Sequence, residues 1–200
     1  MISQPLKLGF LASGNGSSAR AIVTAIQAGV LSAEPRLLVS NNRTAPVLAF
    51  AAEQDVPALC IPTQGDPDAA DTRLVEAMIA HDVEVIVLSG YLRQLGPRTL
   101  QRYEGRVLNI HPGPLPQFGG HGMYGRRVHE AVISAGVAQS GIVIHLVDAE
   151  YDRGPVIARR EVPVAAGDTA ETLEARVTGL EPAFFVETLQ RIAQGVLKLP

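Results

Sequence analysis

Apolar residues in the first half of the chain fall into short continuous runs, at Leu6 to Ala12, Arg36 to Val39, Ala58 to Ile61, Val83 to Leu88 and Val107 to Ile110. Runs of this length are typical of strands buried on both faces of a parallel sheet. The segments between them have helical spacing and predict helices over Ser17 to Ala28, Ala45 to Asp55, Ala69 to His81 and Pro97 to Tyr103. Strands alternating with helices predict an α/β fold with a doubly wound, mostly parallel sheet.

The pattern changes after Ile110. The stretch His111 to Met123 is rich in glycine and proline and has no apolar period, which predicts a long loop, and a loop of that length in a compact domain is usually functional. A helix over Tyr124 to Ala135 is expected next. Two strands, Ser140 to Val147 and Pro155 to Val164, follow with a turn between them at Ala149 to Gly154. A last helix from Thr169 to Gln194 takes Asp168 or Thr169 as its N-cap.

Composition narrows the class of protein. The chain has 200 residues, of which 46% are hydrophobic and 18% charged, so we expect a single domain over residues 1–200. The net charge is −3 with both signs interspersed, which argues against a nucleic-acid partner. Met1 to Gly9 lacks the features of a signal peptide and no run reaches ~20 apolar residues, so we expect no membrane association and a cytoplasmic location. The single cysteine, Cys60, is expected to be a small buried hydrophobe.

The segment Ser13 to Ser18 reads SGNGSS and joins the first strand to the first helix. Its glycines and free helix amides favour an anion such as a phosphate. A tight turn with a serine cap explains the same pattern without any ligand. Dinucleotide binding is a third interpretation, because Gly14, Gly16 and Ala19 fit G-x-G-x-x-A. However, the second strand ends in SNNR without the acidic residue that binds a ribose hydroxyl, which leaves only NADP through Arg43.

Asn109 and His111 lie two apart at the carboxyl end of a predicted strand, so their side chains share one face. An amide donor beside a histidine suits the stabilisation of an oxyanion in acyl transfer. Asp152 is our choice of the acid that orients the histidine, with Asp148 and Glu150 as alternatives. A capped turn explains the Asn-x-His pattern equally well, and acids in a turn are commonly just solvated.

Metal and hydrolase motifs fit less well. His129 and Glu130 lack the second histidine of H-E-x-x-H, and the chain has neither C-x-x-C nor G-x-S-x-G. Four of the five histidines fall between positions 111 and 145, so a metal site stays open. A structural role is favoured for His129, and His145 is expected either in the core or in the wall of the site.

Four motifs occur in one order along the chain: SGNGS at 13–17, LSGYLR at 88–93, NIHP at 109–112 and YDRGPVI at 151–157. By these motifs the chain resembles the folate-dependent formyltransferases over nearly its whole length, and among them the glycinamide ribonucleotide formyltransferases of purine biosynthesis. The resemblance implies a Rossmann-like formyltransferase fold. It also implies transfer of the formyl group of 10-formyltetrahydrofolate, a co-substrate, to the amine of glycinamide ribonucleotide without a metal. The oligomeric state is left open between monomer and homodimer.

The resemblance also implies roles for individual residues. Asn109, His111 and Asp152 would form the catalytic trio. Binding of glycinamide ribonucleotide would fall to Gly16, Ser17 and Ser18 at its phosphate and to Glu181 at its ribose hydroxyls. Folate binding would fall to Leu92, Arg93, Gln94 and Leu95 as a wall, and to Asp148, Ala149, Glu150 and Tyr151 in the turn that holds the pterin.

Some positions depart from the family pattern. Position 18 is serine where the best-known members have asparagine, and Pro67 falls where some members have a basic residue near the folate tail. Methionyl-tRNA formyltransferase and formyltetrahydrofolate hydrolase share part of the pattern. Both carry an additional domain, for which we expect no room in 200 residues. A non-catalytic nucleotide-binding module remains the alternative from another class, although it leaves Asn109, His111 and Asp152 unexplained.

Overall fold

The computed structural model describes residues 4–200, which form one seven-stranded sheet with helices on both faces. The strands run in the order β3-β2-β1-β4-β5-β6-β7; β1 to β5 are parallel, and β6 and β7 are antiparallel additions. Their bounds are β1 Leu6–Ala12, β2 Ala33–Ser40, β3 Ala58–Cys60, β4 Val85–Leu88, β5 Val107–His111, β6 Gln139–Leu146 and β7 Val156–Pro163. The strand order reverses between β1 and β4, and in open α/β sheets the crevice outside the carboxyl ends at such a point binds ligands.

Six helices connect the strands: α1 Ser17–Gln27, α2 Pro46–Glu53, α3 Pro67–Ala80, α4 Pro97–Arg102, α5 Arg126–Ser134 and α6 Ala170–Ala193. Proline opens α2, α3 and α4, where its missing N–H costs nothing. The N-cap of α6 is Thr169, whose hydroxyl accepts from the amide of Thr172 in a reciprocal capping box. This settles the choice between Asp168 and Thr169.

The sheet buries apolar side chains on both faces, as the continuous apolar runs predict. One core cluster packs Phe10 and Val87 against α1, α5 and α6. The other packs Leu11 and Ile86 against residues of α3 and α4, among them Leu74. Because β1 and β4 lie in the middle of the sheet and are covered on both sides, they hold the crevice at their carboxyl ends rigidly.

The doubly wound, mostly parallel fold expected from the sequence is confirmed, although some details differ. Strand β3 lies at the edge of the sheet, where Leu59 is 40% exposed and Cys60 is only partly buried. The expectation that Cys60 is buried was therefore wrong, because an edge strand is covered less than a central one. Strand β4 begins at Val85 rather than Val83. The prediction for Met1 to Gly9 lies partly outside the described residues. Within residues 4–200 no helix is both long and apolar enough to cross a membrane.

Candidate active site

The predicted functional segments meet at the carboxyl edge of the sheet. The glycine loop follows β1, the segment from Ser89 to Leu95 follows β4, and Asn109 and His111 end β5. Because β1, β4 and β5 are neighbours in the sheet, these three segments line one crevice. The turn between β6 and β7 brings Asp152 to the same place, where its carboxylate lies 3.5 Å from Nδ1 of His111.

His111 is almost completely buried and both of its ring nitrogens face protein oxygens. Its Nε2 lies 2.7 Å from the carbonyl oxygen of Phe118, which only accepts, so Nε2 carries a proton. Its Nδ1 faces the Asp152 carboxylate at 3.5 Å, longer than a hydrogen bond. The Phe118 carbonyl thus leaves Nδ1 as the nitrogen that gains or loses a proton beside Asp152.

Burial lowers the pKa of His111 below its ordinary value, although the charge of Asp152 and the hydrogen bond to Phe118 act in the opposite direction. The Asp152 carboxylate does raise the pKa of His111, but burial lowers this pKa by more. Desolvation outweighs an ion pair that is not in direct hydrogen-bond contact. A ligand that supplies negative charge near His111 would move the balance toward the charged imidazole.

Asp152 sits in a left-handed backbone conformation with φ of 56°, which aspartate tolerates better than most residues. Its Oδ2 accepts a 2.9 Å hydrogen bond from the amide of Gly120, so the loop after His111 is tied to the carboxylate. Burial favours a higher pKa for Asp152, but the neighbouring imidazoles of His145 and His111 and the Gly120 amide lower it overall. The acid is therefore ionised at neutral pH.

The other two acids of the turn have local partners or face solvent. Asp148 accepts a hydrogen bond from the amide of Glu150 at 2.9 Å, within the turn itself. Glu150 is exposed. Of the three acids considered from the sequence, Asp152 is the one that contacts His111.

His145 also belongs to this cluster, whereas the sequence left its place open between the core and the wall of the site. It lies directly opposite Asn109 in the β5–β6 register. Its Nε2 is 3.1 Å from Nδ2 of Asn109 and 3.4 Å from Oδ1 of Asp152. His145 is therefore part of the wall of the site.

The glycine loop opens α1 with Gly16 at the N-cap in a left-handed conformation, φ 64°, and without a side-chain cap. A Cβ atom at this position would lie 2.5 Å from Cγ2 of Val47, so only glycine fits. Ser17 is exposed, whereas Ser18 is buried. The Ser17 hydroxyl is thus the one that faces solvent at this helix end.

A cavity of about 410 Å³ is lined by residues of α3, of α4 and of the segment after β4, and by Ala149 of the turn that carries Asp152. Among the residues predicted to bind folate, Gln94, Leu95 and Ala149 line the cavity. The side-chain amide of Gln94 donates a 3.2 Å hydrogen bond to the backbone carbonyl of Ala149. The wall also includes residues that the sequence did not single out: Val39, Ile61, Leu74, Tyr91 and Leu100. A largely apolar wall with a few polar groups, among them the side-chain amide of Gln94 and the carbonyl of Ala149, suits a flat heteroaromatic ring.

Other predicted folate residues lie outside that lining. Leu92 is 66% exposed and Tyr151 is 44% exposed. Arg93, Asp148 and Glu150 are exposed as well. The structure therefore separates the predicted folate residues into a lining set and an outer set at the rim.

The cavity-lining residues of α3 were missed in the sequence because nothing in the local pattern marks them. Leu74 and Asp71 belong to α3, where their sequence pattern is that of any amphipathic helix, and the lining role arises only because α3 packs beside α4. Tyr91 lies inside the LSGYLR motif, which is the one available signal. Burial raises the pKa of Tyr91 to about 12, so its hydroxyl keeps its proton and can donate to a ligand.

Glu181 lies in α6, immediately before Pro182 within the helix. Burial raises its pKa to about 7. A carboxyl group whose pKa is raised by burial, with no cation beside it, is typical of functional positions. Helix α6 packs against α1 and α5, which puts Glu181 on the element beside the glycine-loop helix.

The remaining histidines do not form a metal site. In residues 4–200 there is no group of three or more histidine, cysteine, aspartate or glutamate side chains able to hold a metal ion. His129 is fully buried in α5, and neither ring nitrogen has a hydrogen-bond partner within that part of the chain. His121 contacts the ring of Tyr151 edge to face at 5.7 Å, which links the loop after His111 to the β6–β7 turn.

Comparison with known proteins gives a consistent picture. The family described as formyl transferase matches residues 6–189. The chain is 37% identical to the chloroplastic phosphoribosylglycinamide formyltransferase of Vigna unguiculata over 94% of its own length, and it spans 61% of that protein. It is 35% identical to the phosphoribosylglycinamide formyltransferase of Bacillus subtilis, covering 93% of the chain and 94% of the relative. The crystal structure of glycinamide ribonucleotide transformylase 1 from Symbiobacterium toebii matches with a TM-score of 0.88 at 30% identity, covering 98% of this chain and 92% of that one.

Proposed function

The chain belongs to the formyl transferase family, and on that premise we propose that it transfers the formyl group of 10-formyltetrahydrofolate to the amine of glycinamide ribonucleotide. The observation that carries the proposal is the cluster of Asn109, His111 and Asp152 at the carboxyl edge of the sheet, the edge where the glycine loop also lies. An acceptor anchored by phosphate on one side and a pterin on the other would present amine and formyl group to each other at this cluster.

Binding remote from the reaction fixes the geometry. The acceptor phosphate binds at the amino end of α1 near Gly16 and Ser17, where the free amides and the helix dipole favour an anion. Glu181 accepts from the ribose hydroxyls. The pterin occupies the cavity, in contact with Leu95 and the backbone of the turn at Ala149. Two anchored reactants react as if at high concentration, which supplies much of the rate enhancement.

Chemistry then depends on the cluster. The neutral amine attacks the formyl carbon, which forms a new C–N bond and a tetrahedral intermediate whose oxygen is an oxyanion. Collapse of this intermediate breaks the bond between the formyl carbon and the folate nitrogen. Asn109 donates to that oxyanion, and His111 stabilises it in its protonated form. Asp152 stabilises the charge on His111 and assists movement of the proton from the amine to the departing folate nitrogen through water. The negative oxyanion favours the charged imidazole that burial alone disfavours.

The test is an absorbance assay of deformylation with 10-formyl-5,8-dideazafolate, run with and without glycinamide ribonucleotide. The expected result is turnover that requires the acceptor, and a kcat lowered by a factor of order 10² or more in His111→Ala. Turnover without the acceptor would indicate a hydrolase. No turnover, with no folate binding, would indicate a nucleotide-binding module. A cytoplasmic location and the choice between monomer and homodimer stay predictions from the sequence.

A further inference from the structure

His145 lies between two residues of the proposed catalytic cluster and is 1% exposed. Its Nε2 is 3.1 Å from the amide nitrogen of Asn109 and 3.4 Å from Oδ1 of Asp152. The imidazole is therefore a neighbour of the proposed oxyanion donor and of the proposed acid at once. The mechanism above, on which this inference rests, uses neither of its nitrogens.

The backbone fixes which ring nitrogen of His145 carries a proton. Nδ1 lies 2.8 Å from the carbonyl oxygen of Leu146, the next residue along β6. A carbonyl oxygen only accepts hydrogen bonds, so Nδ1 must be the donor. In the neutral imidazole the proton is then on Nδ1, and Nε2 is left with a lone pair.

That lone pair determines the orientation of the Asn109 side chain. The amide has an accepting end, Oδ1, and a donating end, Nδ2, which have nearly the same shape. With Oδ1 toward His145, two acceptors would face each other at hydrogen-bond distance, whereas Nδ2 toward His145 makes a hydrogen bond. A bare Nε2 therefore selects the orientation with Nδ2 toward His145.

We infer that His145 is a positioning residue that holds Asn109 in its donating orientation. The Asn109 nitrogen has two N–H groups; one donates to His145, and the second is left for the oxyanion. A flipped amide would present Oδ1 to a developing negative charge and would oppose the reaction. Oδ1 of Asp152 lies farther from Nε2, at 3.4 Å, than the amide nitrogen does. It accepts from Nε2 only in the doubly protonated imidazole, which is the form of His145 that lowers the pKa of Asp152.

The first test reads the tautomer directly. In protein labelled with ¹⁵N-histidine, long-range ¹H–¹⁵N correlations should show the neutral form of His145 protonated on Nδ1 and bare on Nε2. A proton on Nε2 of neutral His145 would overturn the inference. This readout needs no substrate, so it decides the tautomer even if the proposed reaction fails.

The second test asks whether His145 acts through Asn109. His145→Phe keeps a ring of similar size but removes both nitrogens, and kcat should fall roughly tenfold to a hundredfold with little change in either KM. Combined with Asn109→Ala, it should cause almost no additional loss, because the residue through which it acts is already gone. Losses that multiply in the double variant, or a kcat of His145→Phe near wild type, would overturn the inference.

Two further variants separate positioning from structure. His145→Gln restores an acceptor at the same place and should recover part of kcat, which a purely structural role would not predict. Ser140→Ala is the matched control, since Ser140 is also buried on β6 and its hydroxyl has no hydrogen-bond partner in residues 4–200. Its effect on kcat should be small and should multiply with that of Asn109→Ala. If wild-type protein shows no acceptor-dependent turnover, the proposed function fails, and the tautomer measurement then decides this inference separately.

Discussion

The amide of Leu92 donates a 2.8 Å hydrogen bond to the side-chain oxygen of Ser13, which ties the segment after β4 to the glycine loop after β1. The amide of Ser13 donates in turn to the carbonyl of Gly90 at 3.1 Å, and the Ser13 hydroxyl donates to Oδ1 of Asn41. These bonds lie where the strand order reverses. The wall proposed for folate and the loop proposed for the acceptor phosphate are therefore parts of one hydrogen-bonded unit.

Ser13→Ala should weaken both substrates together. Loss of the hydroxyl leaves the Leu92 amide without its acceptor, and one such bond is worth about 0.5–1.5 kcal/mol, or roughly twofold to tenfold in affinity. We expect KM to rise by that factor for the folate and for the acceptor in the steady-state assay. Ser32→Ala is the control, because Ser32 is exposed and uses backbone groups in its contacts. An effect on one substrate alone would contradict the coupling of the two segments.

Gly16→Ala should damage the phosphate site, whereas Gly14→Ala should not. The first places a Cβ 2.5 Å from Val47 in a left-handed conformation; the second places it in open space. Strain of this kind costs on the order of 1–3 kcal/mol. We expect a lower melting temperature and a raised acceptor KM for Gly16→Ala, measured by calorimetry and kinetics. Equal behaviour of the two variants would show that the loop conformation does not matter.

Asp71 caps α4 from the neighbouring helix α3. Its carboxylate accepts from the amides of Arg98 and Thr99 and from the Thr99 hydroxyl, and it approaches Gly96 so closely that a Cβ there would lie 2.2 Å from Cγ of Asp71. Asp71→Asn replaces one acceptor by a donor that faces amide N–H groups. We expect a loss of about 1–3 kcal/mol in the free energy of unfolding, with weaker folate binding, because Leu95 and Leu100 flank this point.

The matched control for Asp71 is Glu76→Gln. Glu76 is exposed in the same helix and does not line the cavity, so the loss of its charge should change the free energy of unfolding by at most about 0.5 kcal/mol. Urea unfolding of both variants and titration with a folate analogue give the comparison. Equal folate affinity in Asp71→Asn and wild type would mean that the cap serves stability alone.

Glu181→Gln should stabilise the protein at alkaline pH. Burial raises the pKa of Glu181 to about 7 in the folded state, so the protonated form is the one that folding favours. That contribution is complete below the unfolded pKa, near 4.5, and is lost as pH rises through about 7. The melting temperatures of variant and wild type should be close at pH 4 and should separate, in favour of the variant, by pH 8. If Glu181 binds the ribose, the variant should also have a higher KM for the acceptor. Equal melting temperatures at pH 8 would contradict the raised pKa of Glu181 in the folded protein.

Asp152→Asn should move the pH profile of kcat. The charge of Asp152 raises the pKa of His111 against the effect of burial, so its removal lowers that pKa further. If protonated His111 stabilises the oxyanion, the alkaline limb of kcat moves to lower pH and activity near pH 8 falls. Asp148→Asn is the control, since that carboxylate accepts from a turn amide. An unmoved limb in Asp152→Asn would remove the acid from this role.

Sequence patterns predicted most of the secondary structure because the relevant signals are local. Strand β1 was placed to the residue, and the other elements were placed with ends that differ by a few residues. The ends of a strand such as β4 are set by hydrogen bonds to the neighbouring strands, and a run of apolar residues does not show where these hydrogen bonds begin and end. The spacing of Asn109 and His111 placed both on one face of β5. Local sequence offered three acids in the turn, and only the folded turn shows that Asp152, the first choice among them, lies beside His111.

By itself, the sequence determined the alternation of strands and helices, the glycine loop, the Asn-x-His pair and the family, since each follows from local pattern or from motifs read in order. Only the tertiary structure decided that His145 faces Asn109 and that α3 lines the cavity. It also decided which ring nitrogen carries a proton in His111 and in His145, through the carbonyls of Phe118 and Leu146. These contacts join residues that are distant in sequence or involve backbone carbonyls whose direction is set by strand pairing and loop path. Burial has the same origin, which is why the lowered pKa of His111 emerged only once the chain was folded.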